Sequence, residues 1–135
     1  MSFTRHEIPI TFSGARTKVV GEGASAASDA YTPDESCVAI SVTCKADNET
    51  TPEAGDIVTV TILASAGDPD GSSTHEYPTT GATGTSLDTE GDADPAIGSF
   101  ELSIGYQSYK FHFANGGSNN DCTVSAVVTE IRHYR

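Results

Sequence analysis

Tryptophan is absent from this 135-residue sequence, methionine occurs once and leucine only three times. So little Leu disfavours a helical bundle, whose helices draw on Leu, Ala, Glu and Lys. Basic residues are almost as scarce. Seven Lys and Arg face nineteen Asp and Glu, for a formal net charge of −12. Affinity for a phosphate backbone comes from Lys and Arg, so nucleic acid is not an expected partner. No apolar run approaches the roughly 20 residues of a membrane-spanning helix, and no membrane partner is expected. Met1–Val20 lacks the continuous apolar stretch of a Sec-type signal peptide. The expectation is a soluble protein made and folded in a cytoplasm.

Cysteine is sparse and odd in number: Cys37, Cys44 and Cys122. An odd count argues against a disulfide framework. Cys37 and Cys44 fall on one predicted strand, about 23 Å apart when extended. A disulfide needs Cα atoms within roughly 7 Å, so these two do not pair. Cys122 could meet either one across strands, but free buried thiols are the plainer expectation.

What the chain has in quantity is Ser, Thr and Gly, together a third of its residues. That composition favours short strands joined by polar turns. Alternation carries the rest. Val38, Ile40, Val42 and Cys44 share one face of a strand over Cys37–Cys44, and Val58, Val60, Ile62 and Ala64 share one over Asp56–Ala64. Phe100, Leu102 and Ile104 alternate with polar residues, as do Tyr109, Phe111 and Phe113. In Asp121–Arg132, Cys122, Val124, Ala126 and Val128 form the inward set. These are period-two strands with one buried face. Glu130 also falls inward there, which predicts a bulge or the strand's end. Ile8, Ile10 and Phe12 mark an earlier strand, at a sheet edge because Pro9 lacks a ladder donor. Arg16–Val20 is a shorter candidate, and Gly21–Ser36 reads as loop.

A structureless loop as long as Ser65–Ile97 is unusual in a compact domain, so Ser72–Tyr77 or Thr83–Leu87 is expected to pair. The length predicts one domain over residues 1–135. The fold expectation is an all-β antiparallel sandwich of seven to eight strands, jelly-roll-like or Ig-like.

Charge is unevenly laid out. Between Lys45 and Lys110 there are 64 residues without Lys or Arg but with twelve Asp or Glu. The basic residues gather toward the ends, with Arg5, Arg16 and Lys18 at one and Arg132 and Arg135 at the other. This layout suggests a docking side that meets an acidic partner and a solvent-facing acidic side.

Motifs for chemistry are missing. His6, His75, His112 and His133 are dispersed, without the spacing of a zinc site. No P-loop, nucleophile elbow or dinucleotide fingerprint is present. The acidic run Asp88–Pro95 offers carboxylates for calcium, but Gly91 and Ser99 stand where an EF-hand needs other spacing. A solvated acidic loop is the plainer reading, and the same holds for Asp68 and Asp70. No cofactor, metal or catalytic residue is expected. His75-Glu76 is the one polar pair worth inspection. The five tyrosines (Tyr31, Tyr77, Tyr106, Tyr109 and Tyr134) are scattered, with no evident platform for stacking on sugar rings.

In length, Ser/Thr/Gly richness, acidic loops and lack of a signal segment, the whole chain resembles small all-β virion proteins of tailed bacteriophages, especially capsid decoration or cement proteins. The resemblance implies a non-enzymatic protein on the capsid surface, present in multiple copies, often trimers, that binds and stabilises a lattice of major capsid protein. It further implies that Ser2–Val20 serves as an arm or edge strand. The cations Arg5, Arg16, Lys18, Arg132 and Arg135 would then dock on acidic capsid surface, with Ser65–Ile97 facing outward or toward neighbouring copies. Two other readings stand beside it. One is a carbohydrate-binding or adhesin-like sandwich module, in one version calcium-stabilised; the other is a small hydrolase or isomerase.

Overall fold

A computed structural model describes residues 2–66, 82–116 and 120–134. The described residues form nine strands and no helix, so no helix is long and apolar enough to cross a membrane. In chain order the strands are β1 (Ser2–Pro9), β2 (Lys18–Val20), β3 (Ser25–Ala27), β4 (Cys37–Asn48), β5 (Ile57–Ser65), β6 (Ala82–Asp88), β7 (Ala96–Leu102), β8 (Ser108–Asn115) and β9 (Cys122–Tyr134). They make two antiparallel sheets. The five-stranded sheet runs β1-β9-β4-β7, with β2 also on β9, and the four-stranded sheet runs β3-β8-β5-β6. The fold is thus the all-β antiparallel sandwich that the alternation predicts.

Each sheet is centred on a pair distant in sequence, β4 with β9 and β5 with β8. Their inward residues meet as the core: Val42, Cys44, Val58, Val60, Phe111, Phe113, Val124 and Val128 are fully buried. Aromatic edges lock the two layers, with Phe12 against Phe113 at 5.5 Å between ring centroids and Phe100 against Phe111 at 6.1 Å. Such T-shaped pairs add to the stabilisation from buried area.

Several local outcomes differ from the pattern reading. The first strand is Ser2–Pro9, not Glu7–Phe12: its exposed half has no apolar alternation because an edge strand over solvent buries little. Pro9 does sit at an edge, paired only with Val127 of β9. Beyond it, Ser13 (φ 49°) and Gly14 (φ 86°) form a two-residue turn closed by pairing of Phe12 with Ala15. Positive φ at both central positions is the type I′ geometry of tight hairpins. Asp29 braces it, its carboxylate accepting from Ser13 N and Gly14 N, each at 3.0 Å. β3, expected as loop, is three small residues whose pattern carries no strand signal. Thr83–Leu87 does pair, within β6 on β5, while Ser72–Tyr77 lies outside the described residues. The irregularity expected near Glu130 falls on the neighbouring strand. β4 carries a bulge between Cys37 and Ala39, and β9 runs on to Tyr134. The bulge turns Val38 out of the inward set, leaving it 47% exposed.

Candidate interaction surface

Directly opposed residues of an antiparallel pair share a face, so the register defines the outer surface of the five-stranded sheet. One row runs Glu7, Thr129, Ser41 and Glu101; the next runs Pro9, Val127, Thr43 and Ser99. Farther along, Lys45 lies between Ser125 and Ile97, and Val19 lies beside Thr123. Toward the other end Arg5 faces Ile131, and Phe3 stacks on His133 with ring centroids 4.9 Å apart. Six of these side chains are small Ser or Thr: Thr129, Ser41, Thr43, Ser99, Ser125 and Thr123. Large apolar groups rise among them. Phe3, Val19, Ile97 and Val127 are exposed, Ile97 by 66%, as is Val38 at the bulge. A groove of about 490 Å³ at the β4–β7 end is lined by Val38, Ala39, Ile104 and Ile131, with Ser41, Glu101 and Thr129 on its polar side. Among the described residues, every exposed large apolar side chain that lies in a strand belongs to the five-stranded sheet.

Three carboxylates, those of Glu130, Asp29 and Asp56, are engaged by donors within the fold. Glu130 is fully buried. Its carboxylate accepts from the Tyr31 hydroxyl, from Arg132 Nε at 2.8 Å and from Asp34 N at 3.4 Å. Arg132 also lies 3.8 Å from the Asp34 carboxylate. Burial, and secondarily the bond to Glu130, pushes the Tyr31 phenol well above its ordinary range. A buried carboxylate needs such partners, since an unpaired one costs several kcal/mol. A cavity of about 310 Å³ opens beside this group against Ile8, Ile10, Thr11 and Asp29. Asp29 is occupied there by the Thr11 hydroxyl at 2.6 Å, which with the turn amides holds its carboxyl below the usual range.

At the other end of the sandwich Asp56, 1% exposed, accepts from Asn120 Nδ2 at 2.6 Å, Asn48 Nδ2 at 3.1 Å and Glu53 N at 2.8 Å. These bonds, led by Asn120, hold its carboxyl below the usual range. Asn48 also reaches Thr89, and Asn115 reaches Val20 and Asn120, so the network fastens the loops at this end.

The acidic run does turn chemistry. Asp88 accepts from Glu90 N at 3.1 Å and Gly91 N at 2.7 Å, and Asp94 accepts from Asn48 N at 3.0 Å. Among the described residues no three His, Cys, Asp or Glu are grouped to hold a metal ion. Cys37, Cys44 and Cys122 are free thiols. Burial pushes Cys44 up to about 12 and Cys122 to about 11, which keeps both protonated and poor nucleophiles. Tyr31 and Tyr109 are core residues. Asp68, Asp70, His75-Glu76 and Tyr77 lie outside the described residues.

Of the five cations expected to dock a partner, the four among the described residues do not form one patch. β1 and β2 lie one after the other along β9, so Arg5 faces Ile131 while Lys18 faces Val124. Those β9 positions are seven residues apart, about 23 Å along a strand. Arg16 is exposed in the turn before β2. Arg132 is turned inward to Glu130 and Asp34, Arg5 is paired with Glu7 at 2.9 Å, and Arg135 lies outside the described residues. Sequence reasoning missed the groups that stand out instead, Glu130 with Tyr31 and the apolar outer face. The inward placement of Glu130 was the one available signal for the former.

No protein-family model matches the chain, and no curated protein matches it. The solved structure of FlhE is similar at 12% identity with a TM-score of 0.47, over 99% of this chain and 100% of that one. At that level nothing about FlhE is carried to this chain. The expectation of capsid decoration is withdrawn: a solved structure similar to the chain is that of FlhE, which is not a virion protein. The cationic set on which capsid docking rested is also dispersed and partly consumed within the fold.

Proposed function

We propose that the chain is a non-enzymatic protein-binding module that receives its partner on the outer face of the five-stranded sheet. The observation that carries this reading is the one-sided exposure of large apolar side chains. Phe3, Val19, Val38, Ile97 and Val127 lie in strands of one sheet, and the described strands of the other sheet expose none. Large apolar side chains exposed on one face among polar ones are a feature of protein interaction sites. Interspersed Arg5, Glu7, Lys45 and Glu101 fit a partner of mixed charge better than a polyanion. The carboxylates of Glu130, Asp29 and Asp56 being occupied by internal donors supports a binding role over acid–base catalysis.

The test is site-specific photocrosslinking in cells of the source organism. A photoreactive residue at Val127 or Ile97 is expected to trap the same protein partner. At Thr61 or His112, opposed residues on the outer side of the four-stranded sheet, it should trap none. Equal trapping from both sheets, or none from either, overturns the reading.

A further inference from the structure

The free edge of β1 has a self-complementary order of residues. In an antiparallel ladder alternate residues bond to each neighbour. Ile10 N donates to Ala126 O at 2.9 Å, and on the opposite side of β9 His133 N donates to Ser36 O at 2.9 Å. This phasing directs the amides and carbonyls of Thr4, His6 and Ile8 toward their partners Arg132, Glu130 and Val128. The main-chain groups of Phe3, Arg5, Glu7 and Pro9 therefore point away from the sheet. Pro9, which has no N–H to offer, occupies one of these outward positions and costs the β1–β9 ladder nothing.

The geometry points to a second copy of this chain as the occupant of that edge, docked antiparallel about a two-fold axis through His6. In this register Arg5 opposes Glu7 of the second copy, Glu7 opposes Arg5 of the second copy, and Phe3 opposes Pro9 of the second copy. Arg5 and Glu7 already touch within one strand at 2.9 Å, both well exposed on the outer face. Bringing two copies together sets four charges in a square of alternating sign, with each Arg flanked by Glu along its own strand and across the interface. A register with Arg5 on the axis would instead place like charges opposite each other, which is unfavourable. Three outward N–H groups per copy, those of Phe3, Arg5 and Glu7, meet the carbonyls of Pro9, Glu7 and Arg5 opposite. The two prolines leave only the two Phe3 carbonyls unmatched. Such a contact is isologous and closes at two copies, joining both five-stranded sheets into one. Its main-chain bonds use the strand edge, while its charge pairs use Arg5 and Glu7 of the outer face.

Sedimentation equilibrium of the full chain at low salt tests it. The wild type is expected to dimerise, and Arg5→Glu or Glu7→Arg alone to weaken dimerisation roughly tenfold or more. The Arg5→Glu/Glu7→Arg double variant should restore it, because the square of charges is rebuilt with signs exchanged. Arg5→Pro removes an outward donor without touching the β1–β9 ladder, and is expected to leave a folded monomer. Should the proline variant fail to fold, the charge exchange decides alone. Amide hydrogen exchange at Phe3, Arg5 and Glu7 is expected to slow as protein concentration rises. Four results overturn the proposal: a monomer up to millimolar concentration, a trimer, a dimer indifferent to the single reversals, or a dimer whose three edge amides exchange as fast as in the monomer.

Discussion

Glu130 shows how a single side chain can dictate its surroundings. A carboxylate with no solvent contact is tolerated only when paired, and the chain supplies Tyr31 from 99 residues away together with Arg132 on the same strand. Removing one member of a buried charged group costs more than the group itself contributes, because the others stay desolvated and unpaired. Glu130→Ala is expected to destabilise the fold by about 3–5 kcal/mol. Tyr31→Phe, which loses one charge-assisted bond but keeps the packing, should cost about 1.5–3 kcal/mol. The double variant is expected to lose less than the two losses added, since the residues share one interaction. Urea unfolding of the three variants measures all of this, and strict additivity would show that the two residues act separately.

At the scale of elements, packing between β6 and β7 rests on a glycine. β6 is irregular opposite Val60 and Thr61, and the residue it gains there is Gly84. A Cβ at that position would lie 2.8 Å from the Phe100 ring, which is itself packed on Phe111. Gly84→Val should therefore cost about 1–3 kcal/mol by overpacking. Pairing it with Phe100→Leu should recover part of the loss, as read from thermal unfolding midpoints. Legibility in the sequence follows the same physics. β4, β5, β7, β8 and β9 have one buried face, so apolar alternation announces them. β3 has only Ser and Ala to show, and the first half of β1 lies over solvent, so neither imprints a pattern. The outer face was hidden for another reason. Val19, Ile97 and Val127 each sit in a position that alternation marks as exposed, and only the order β1-β9-β4-β7 gathers them on one surface. The basic residues misled because closeness to a chain end is not closeness in space: Arg132 turns inward while Lys18 lies far along β9.

For the whole molecule, the net charge of −12 matters through which carboxylates the fold engages. Asp29, Asp34 and Asp56 are all held below the ordinary carboxylate range, by hydrogen bonds led by Thr11, Ser36 and Asn120 respectively. A carboxyl with a lowered folded-state value stabilises the fold above its unfolded value and loses that contribution as pH falls toward the folded one. Thermal stability is thus expected to hold from neutral pH to about 5 and to decline below about 4. Asp56→Asn should make that decline shallower. A melting temperature that rises on acidification below pH 4 would mean that relief of charge repulsion outweighs these bonds.

β9 pairs with β1, with β2 and, along its other side, with β4. Three earlier segments thus depend on the last of the described strands to be synthesised. A nascent chain that has reached only Asp121 has made β1 and β2 with no partner strand, and β4 with β7 as its one available neighbour. Closure of the five-stranded sheet is then a late, long-range event. That makes folding slow for the chain's size, and leaves the growing polypeptide reliant on whatever shields exposed strands at the ribosome.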